Sequence, residues 1–322
     1  MIKVVLTKKL DSATKVLFDD ADVDLVNVTE GDKEAFHAEM ADAEAVLLST
    51  AFQITSEVIE NSPKLKVISR TGVGVDNVDV KTASQKGIMV LNTPAANSLS
   101  VAEHAVSLIG ALSKQIFYYG TELRKGNFNV RRENRCVDLD GKTLGLIGCG
   151  QIGRLVSKKC EGAFNMKTIG YDPFITSDID NIKIMMDIDD VLKQADYISL
   201  HLPLNDQTRN MIDAVKLSLL KPTAFILNTS RGGIINEEAL ATALKEGRIA
   251  GAGIDVFSQE PPDADNSLLS APNIILTPHS AALTNECTKR VAFEAAKGIA
   301  DYCKGMEPTY IFNKRDIIKL GN

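Results

Sequence analysis

The sequence lacks tryptophan, and aromatic residues make up only 5% of its 322 residues. It also lacks an excess of positive charge, since 36 Lys and Arg face 42 Asp and Glu, for a formal net charge of −6. Nucleic acids and anionic membranes attract basic surfaces, so neither is expected as a partner. The five cysteines are odd in number and form no C-x-x-C pair. This favours a reduced, cytoplasmic protein and gives no indication of a bound metal.

Long apolar runs are absent as well. No run approaches the roughly 20 residues that span a membrane. The opening MIKVVLTKKL becomes charged again after a few apolar residues, too soon for a signal peptide. What the sequence has instead is 44% hydrophobic residues arranged in short runs. A chain of this length is too long for one ordinary core, so two domains are expected.

Short apolar runs alternate with amphipathic stretches in two series. The first holds IKVVLT, DVDLVNV, AEAVLLS, LKVISR and IMVLN; the second holds KTLGLIG, MKTIGYD, ADYISLH, TAFILNT, AGAGIDVF and NIILTPH. This alternation predicts an α/β fold of two doubly wound parallel sheets. Between the series, residues 97–126 show helical periodicity, with Asn97 or Ser98 as a plausible N-cap. A second long amphipathic helix, capped by Thr284, follows the second series. Both helices are interpreted as crossings between the domains.

A glycine pattern suggests a dinucleotide site. The segment GCGQIG gives G-x-G-x-x-G at Gly148, Gly150 and Gly153. Alone, the pattern often means only a tight turn. Here an apolar strand precedes it, a helix follows it, and Asp172 ends the next strand roughly 20 residues further on, as in dinucleotide-binding folds.

Each part of this pattern has a physical role in binding. The glycines let the backbone approach a pyrophosphate, and the amides near Gln151 and Ile152 face it at the start of the helix. Asp172 would accept hydrogen bonds from an adenosine ribose diol and would repel a 2′-phosphate. The pattern therefore predicts NAD as the cofactor in preference to NADP.

Three further motifs, NTSRGG, DVFSQEPP and TPHSA, supply Arg231, Glu260 and His279. Singly, each is typical of a solvated loop or a structural residue. Each also follows a predicted strand of the second series, where open α/β sheets build their sites. A guanidinium can bind and polarise a 2-keto acid, an imidazolium can protonate its carbonyl oxygen, and a carboxylate can hold the ring in its charged form. The three residues therefore predict acid–base chemistry on a small anionic substrate, such as a 2-keto acid.

These motifs, with RTGVGVDNVD, NTPAANSLSVAEH and HLPLNDQTRNMI, resemble the D-isomer-specific 2-hydroxyacid dehydrogenases. The resemblance is strongest to phosphoglycerate dehydrogenases that lack a regulatory domain, so serine feedback through such a domain is not expected. It implies a flavodoxin-like substrate domain of residues 1–97 and 285–322, with an inserted Rossmann NAD-binding domain of residues 98–284. It also implies a homodimer formed largely through the NAD-binding domain, and oxidation of 3-phosphoglycerate to 3-phosphohydroxypyruvate in serine biosynthesis.

Motif matches to this family imply further contacts. Those expected for the cofactor are His201, Pro203, Thr208, Thr229, Ser230, Asp255 and Ala281. The backbone amides of Val73 and Gly74 are expected to receive the substrate carboxylate. The basic residues expected for a substrate phosphate are Arg70, Arg131, Arg132 and Arg135. By contrast, His104, on the first crossing helix, is expected to pack near the hinge between the domains without a chemical role.

Alternatives stay open. The basic segment is equally consistent with a solvated loop, which would favour hydroxypyruvate, glyoxylate or another 2-keto acid as substrate. Formate dehydrogenases resemble the pattern but have glutamine where Glu260 stands, which argues against that reaction. The C-terminal-binding-protein corepressors also resemble the family, bind NAD and act as scaffolds, although they carry long tails that this sequence lacks.

Overall fold

The computed structural model describes residues 1–133 and 135–320, in two compact units. One unit comprises Met1–Asn97 with the chain from Thr284 onward, and the other comprises Ser98–Leu283. Residue 134, within the basic segment, and residues 321–322, at the end of the predicted substrate domain, lie outside the described residues.

The strands alternate with helices along the chain. The strands are β1 (Ile2–Leu6), β2 (Val23–Asn27), β3 (Ala45–Leu48), β4 (Val67–Arg70), β5 (Met89–Leu91), β6 (Thr143–Ile147), β7 (Lys167–Tyr171), β8 (Ile182–Ile184), β9 (Tyr197–Leu200), β10 (Phe225–Asn228), β11 (Gly251–Ile254) and β12 (Ile274–Leu276). The α-helices are α1 (Ser12–Lys15), α2 (Lys33–Met40), α3 (Ser56–Glu60), α4 (Val80–Gln85), α5 (Ser98–Ser113), α6 (Ile116–Arg124), α7 (Gln151–Phe164), α8 (Ile188–Gln194), α9 (Ala214–Leu217), α10 (Glu237–Lys245), α11 (Asn285–Cys303) and α12 (Lys314–Leu320). Short 3₁₀ helices cover Val16–Phe18, Phe128–Glu133 and Ser267–Ser270.

The first unit is built on a parallel sheet with the strand order β2-β1-β3-β4-β5. This is the flavodoxin-like order. Val5 packs with Phe36 of α2 in one buried cluster, while its neighbour Val4 packs with Ala296 of α11 in another. Because successive side chains point to opposite faces of a strand, covering both faces requires strands that are apolar throughout.

The second unit is a parallel sheet with the order β12-β11-β10-β9-β6-β7-β8. Counted from β6, the first six strands follow the Rossmann order, in which the chain reverses direction beside its first strand. The prediction of two doubly wound parallel sheets is therefore confirmed. The edge strand β8 has only three residues and was not foreseen from the sequence.

The helix predicted over residues 97–126 proved wrong in one respect, because it is broken in two. Helix α5 ends at Ser113, and Gln115 takes a left-handed conformation with φ +50° before α6 begins. The Gln115 side-chain amide donates to the Leu112 carbonyl oxygen at 3.0 Å, which satisfies one end of the broken helix. No glycine or proline marks this break. The Thr284 cap of α11 is confirmed, since its hydroxyl accepts from the Cys287 amide at 3.0 Å.

No helix within the described part of the chain is both long enough and apolar enough to cross a membrane.

Candidate active site

Glu260 and His279 form a close pair at the carboxyl ends of β11 and β12. The His279 Nδ1 lies 2.7 Å from one Glu260 oxygen, and the other Glu260 oxygen accepts from the Phe257 amide at 3.0 Å. The His279 side chain is 50% exposed, so a small molecule can reach it. Since Nδ1 faces the carboxylate, Nε2 is the ring nitrogen available to exchange a proton with a substrate.

Arg231 lies on a turn that the end of β10 holds in place. The side chain of Asn228 accepts from the Ser230 amide at 3.1 Å and donates to the Arg231 carbonyl oxygen at 2.8 Å. The next residue, Gly232, has room for no side chain, because a Cβ atom there would lie 1.8 Å from the Phe257 carbonyl oxygen. The Arg231 turn therefore packs directly on the loop whose backbone binds Glu260.

Asp255 organises the turn that carries His279. Its side chain is fully buried and accepts from the amides of Ser280 at 2.8 Å and Ala281 at 3.0 Å. Its backbone carbonyl accepts from the His279 amide at 2.7 Å. His279 itself has φ +52°, a conformation that non-glycine residues rarely adopt. Such a conformation persists where the surroundings fix it, as these three hydrogen bonds do here.

The glycine loop lies between β6 and α7. Gly148 has φ +95°, and a Cβ atom there would lie 2.3 Å from the His201 carbonyl oxygen, so only glycine fits. A Cβ atom at Gly153 would lie 2.4 Å from the Gly148 carbonyl oxygen, which shows how tightly helix and loop pack. Asp172 follows β7, and its carboxylate accepts from the Cys149 amide at 3.0 Å. The carboxylate predicted to bind a ribose thus also fixes the loop.

The loop and the start of α7 have the features that a dinucleotide needs. Gly150 is the N-cap residue of α7 and provides no side-chain cap for the helix amides. A Cβ atom at Gly150 would meet no protein atom within 4 Å, so open space lies beside these amides. A groove of about 840 Å³ lined by Gly150, Gln151, Arg154 and Ile175 extends from this point. Uncapped amides at a helix start favour an anion, so these residues fit a pyrophosphate.

His201 follows β9 and packs beneath the glycine loop. Its Nε2 lies 2.9 Å from the Ser199 hydroxyl, and its buried Nδ1 has no hydrogen-bond partner among the described residues. Burial lowers the pKa of His201 to about 4, so the ring is neutral near pH 7. Cys149 of the glycine loop is also buried. Its burial, with the nearby negative charge of Asp172, raises the pKa of the thiol to about 12, so this thiol remains protonated.

The remaining residues predicted for the cofactor lie on loops of the same unit. Thr208 is buried and donates to the carbonyl oxygen of exposed Pro203 at 2.7 Å, which closes the loop after His201. Thr229 is buried at the end of β10, and its hydroxyl has no partner among the described side chains and backbone. Gln151 is exposed and Ile152 half-buried in the first turn of α7. All of these residues follow strands of the seven-stranded sheet.

The first unit contains Val73 and Gly74, which were predicted for the substrate carboxylate, and Arg70, which was predicted for a substrate phosphate. Arg70 ends β4 and donates to the Thr71 carbonyl oxygen at 2.7 Å. The carbonyl of Val73 accepts from the Asn92 side chain at 2.8 Å, and Gly74 is half-buried in the same loop. The contacts within this unit therefore order the loop that follows β4.

Two arginines of the basic segment lie against aromatic rings of the second unit. The Arg135 guanidinium lies 4.2 Å from the centre of the Tyr118 ring and 2.6 Å from a Glu133 oxygen. The Arg131 guanidinium lies 5.3 Å from the centre of the Phe128 ring. Part of the charge predicted to meet a phosphate is thus balanced within the segment itself.

Sequence reasoning missed three residues that support the site. Asn228 is the last residue of β10 and Thr277 follows β12, so the rule that polar residues at strand ends build sites could have found them. His104 on α5 lies 3.1 Å from the Thr277 hydroxyl, which itself donates to Asp255 at 2.5 Å. Nothing in the local pattern around His104 indicates this partner.

Among residues 1–133 and 135–320, no cluster of His, Cys, Asp or Glu side chains could hold a metal ion.

Comparison with known proteins places the chain in a family. Residues 106–281 match the model of the D-isomer specific 2-hydroxyacid dehydrogenase, NAD binding domain. The chain belongs to the D-isomer specific 2-hydroxyacid dehydrogenase family. The second unit of the structure therefore contains the NAD-binding domain of this family, and the resemblance predicted from the motifs is confirmed.

Curated relatives extend the similarity to nearly the whole chain. A D-3-phosphoglycerate dehydrogenase of Methanocaldococcus jannaschii is 40% identical over 98% of this chain. The D-3-phosphoglycerate dehydrogenase of Homo sapiens is 36% identical over 97% of it. The chain spans only 60% and 58% of the lengths of these two relatives.

A solved structure agrees with both the fold and the family. A D-lactate dehydrogenase from Aquifex aeolicus, complexed with NAD and lactic acid, matches with a TM-score of 0.82 and 29% sequence identity. The match covers 94% of this chain and 96% of that one.

Proposed function

We propose that this protein is an NAD-dependent dehydrogenase that interconverts a D-2-hydroxy acid and the corresponding 2-keto acid. The observation that carries the proposal is the Glu260–His279 pair, 2.7 Å apart, beside a loop on which the Arg231 turn packs. Family membership provides the setting, because the NAD-binding domain model covers the glycine loop and all three of these residues.

The residues of the pair divide the acid–base work. In the direction of reduction, His279 gives the proton on Nε2 to the carbonyl oxygen of the keto acid. Glu260 holds the ring through Nδ1, which leaves Nε2 to face the substrate. In the direction of oxidation, the neutral ring removes the hydroxyl proton. Arg231 binds the substrate carboxylate and stabilises the charge that develops on the carbonyl oxygen.

The glycine loop, the first turn of α7 and Asp172 would hold the cofactor. The amides of Gln151 and Ile152 would bind its pyrophosphate, and Asp172 would bind the adenosine ribose. The rest of the cofactor-binding groove would be lined by Thr208, Thr229, Ser230, Asp255 and Ala281. A bound nicotinamide dinucleotide would supply the hydride donor or acceptor for the reaction.

The substrate pair that we propose is 3-phosphoglycerate and 3-phosphohydroxypyruvate, as in serine biosynthesis. The similarity to D-3-phosphoglycerate dehydrogenases along nearly the whole chain supports this choice. In the proposal, Val73 and Gly74 receive the carboxylate, and Arg70 with arginines of the basic segment receives the phosphate. A second candidate is the reduction of hydroxypyruvate or glyoxylate. It is favoured by the ion pair of Arg135 with Glu133, which reduces the charge available to a phosphate.

A panel of keto acids tests both candidates. Purified protein is mixed with NADH or NADPH and with phosphohydroxypyruvate, hydroxypyruvate, glyoxylate or pyruvate, and the loss of NADH absorbance is followed. We expect turnover with NADH and a higher kcat/KM for phosphohydroxypyruvate than for hydroxypyruvate. Equal kcat/KM values for these two acids would contradict a phosphate-binding site. The absence of turnover on any of the acids would favour an NAD-binding scaffold.

We also propose that the protein is a cytoplasmic homodimer assembled through the second unit. Helix α6 and the following 3₁₀ helix expose Ile116, Phe117, Leu123 and Phe128, each between 57% and 63% accessible. Monomeric proteins rarely expose so many large apolar side chains together, so a second copy is the partner we infer. Light scattering after size exclusion should give twice the chain mass, and Phe117→Asp should shift the protein toward monomer.

A further inference from the structure

His104 is the histidine of α5 to which the proposed function gives no role. Its Nε2 lies 3.1 Å from the Thr277 hydroxyl oxygen and 3.7 Å from a buried Asp255 oxygen. All three residues belong to the second unit. Helix α5 is thereby joined to the ends of β11 and β12, beside the turn that carries His279.

The direction of these hydrogen bonds follows from a count of protons. A threonine hydroxyl has one proton, and Thr277 places it toward Asp255 at 2.5 Å. Toward His104 the hydroxyl can therefore only accept, so Nε2 of His104 must carry a proton and donate it. The chain of donors runs from His104 through Thr277 to the Asp255 carboxylate.

The Asp255 carboxylate is also the acceptor for the turn that bears His279. Its two oxygens take the amides of Ser280 and Ala281, and its backbone oxygen takes the amide of His279. The third donor to this carboxylate is the Thr277 hydroxyl, whose oxygen accepts from His104 on its other side. Because His104 has no hydrogen bond with His279 or Glu260, its effect on them would be indirect.

We propose that His104 is a positioning residue for the proposed dehydrogenase reaction. By donating from Nε2 to Thr277, it fixes the Asp255 carboxylate and through it the left-handed turn that aims His279 at the substrate. The inference rests on the proposed function, because only a proton transfer at His279 makes the aim of this ring matter. A shift of about 1 Å in a reacting group can lower a rate about 100-fold.

The test compares substitutions that keep or remove each hydrogen bond. Glutamine at position 104 can still donate to Thr277, whereas leucine of similar size cannot. His104→Leu should lower kcat about 10- to 100-fold with little change in KM, and His104→Gln should restore most of it. Thr277→Val should behave as His104→Leu does, and Thr277→Ser should stay near wild type. The pair His104→Leu with Thr277→Val should be little worse than either alone, because the two residues act as one unit.

Several results would overturn the proposal. These are wild-type turnover in His104→Leu, equal losses in His104→Gln and His104→Leu, or losses that multiply in the double variant. Thermal midpoints of all variants are compared, and if His104→Leu fails to fold, the Thr277→Ser and Thr277→Val pair carries the test. A loss caused by general damage would appear in the thermal midpoint and would not be rescued by glutamine.

A measurement without turnover separates this inference from the proposed function. The chain has four histidines, so ¹H–¹⁵N correlation of the imidazole rings can assign His104 by its absence in His104→Gln. We expect the tautomer protonated at Nε2, with a shifted signal in Thr277→Val. A ring protonated at Nδ1 alone would overturn the hydrogen-bond chain. If the wild type reduces no keto acid, the proposed function fails, while this measurement still decides whether Nε2 of His104 donates to Thr277.

Discussion

The two halves of the seven-stranded sheet build their sites by different means. At the ends of β6 and β7, the glycine loop is shaped by residues that have no side chain, Gly148, Gly150 and Gly153 among them. At the ends of β10 to β12, the loops are shaped by buried polar side chains, such as Asn228 and Asp255. In the function that we propose, one half presents backbone amides to an anion, and the other aims side chains at a reacting group.

This difference follows from the chemistry expected of each half. A pyrophosphate is bound by backbone amides, so what it requires is close approach, and side chains would prevent it. A proton transfer requires a ring held at one angle, and that needs several hydrogen bonds from fixed partners. The glycine half should therefore be sensitive to added atoms, and the polar half to removed ones.

The largest effect is expected from removing the His279 ring. His279→Ala should lower kcat/KM for the reduction of a 2-keto acid about 10²- to 10⁴-fold, since the proposed proton donor is lost. Binding of NADH should change little, because the residues proposed to bind its pyrophosphate and adenosine ribose lie on the other half of the sheet and the residues proposed to line the rest of the cofactor-binding groove are unchanged. Turnover is measured by NADH absorbance, and NADH binding by its fluorescence.

The matched control for this variant is His37→Ala. His37 is an exposed residue of α2 in the first unit and is expected to contribute nothing to turnover. Wild-type turnover in His279→Ala would contradict the assignment of the proton donor. A loss of NADH binding equal to the loss of turnover would contradict the division of the sheet into two functional halves.

The same contrast explains how much the sequence could predict. The glycine loop, Asp172 and the order of strands and helices were predictable, because they depend on spacing within one stretch of chain. The contacts of His104 with Thr277 and of Gly232 with Phe257 were not, since they join elements distant in sequence. The break at Gln115 was missed because neither glycine nor proline marks it, although its side chain closes the helix end.

His201 lies between the two halves of the sheet. Its burial predicts that the free energy of unfolding falls at acid pH. Burial lowers its pKa to about 4 in the folded protein, from about 6.5 in the unfolded chain. The unfolded chain thus takes up a proton that the folded chain does not, so stability is full above about pH 6.5 and is lost as the pH falls toward 4. The loss should reach about 3 kcal/mol.

The variant that tests this prediction is His201→Gln, whose amide can keep the hydrogen bond with Ser199. Urea unfolding of the two proteins at several pH values should show a shallower loss of stability for the variant between about pH 6.5 and 4. Equal slopes would mean that His201 takes up its proton in the folded state. Support of the glycine loop by His201 would then not depend on the neutral form of its ring.

The smallest effect is expected from one methyl group at Gly150, and it tests whether the open space beside α7 belongs to the cofactor. A Cβ atom at Gly150 or at Gly162 of the same helix meets no protein atom within 4 Å, and neither residue has a positive φ. Gly162→Ala should therefore raise stability by about 0.5–1 kcal/mol without changing NADH affinity. Gly150→Ala should fold as the wild type does but bind NADH about 10- to 100-fold more weakly, because the methyl group occupies space that a pyrophosphate needs. Isothermal titration with NADH and a thermal melt separate the two variants, and equal NADH affinity in both would place the dinucleotide elsewhere.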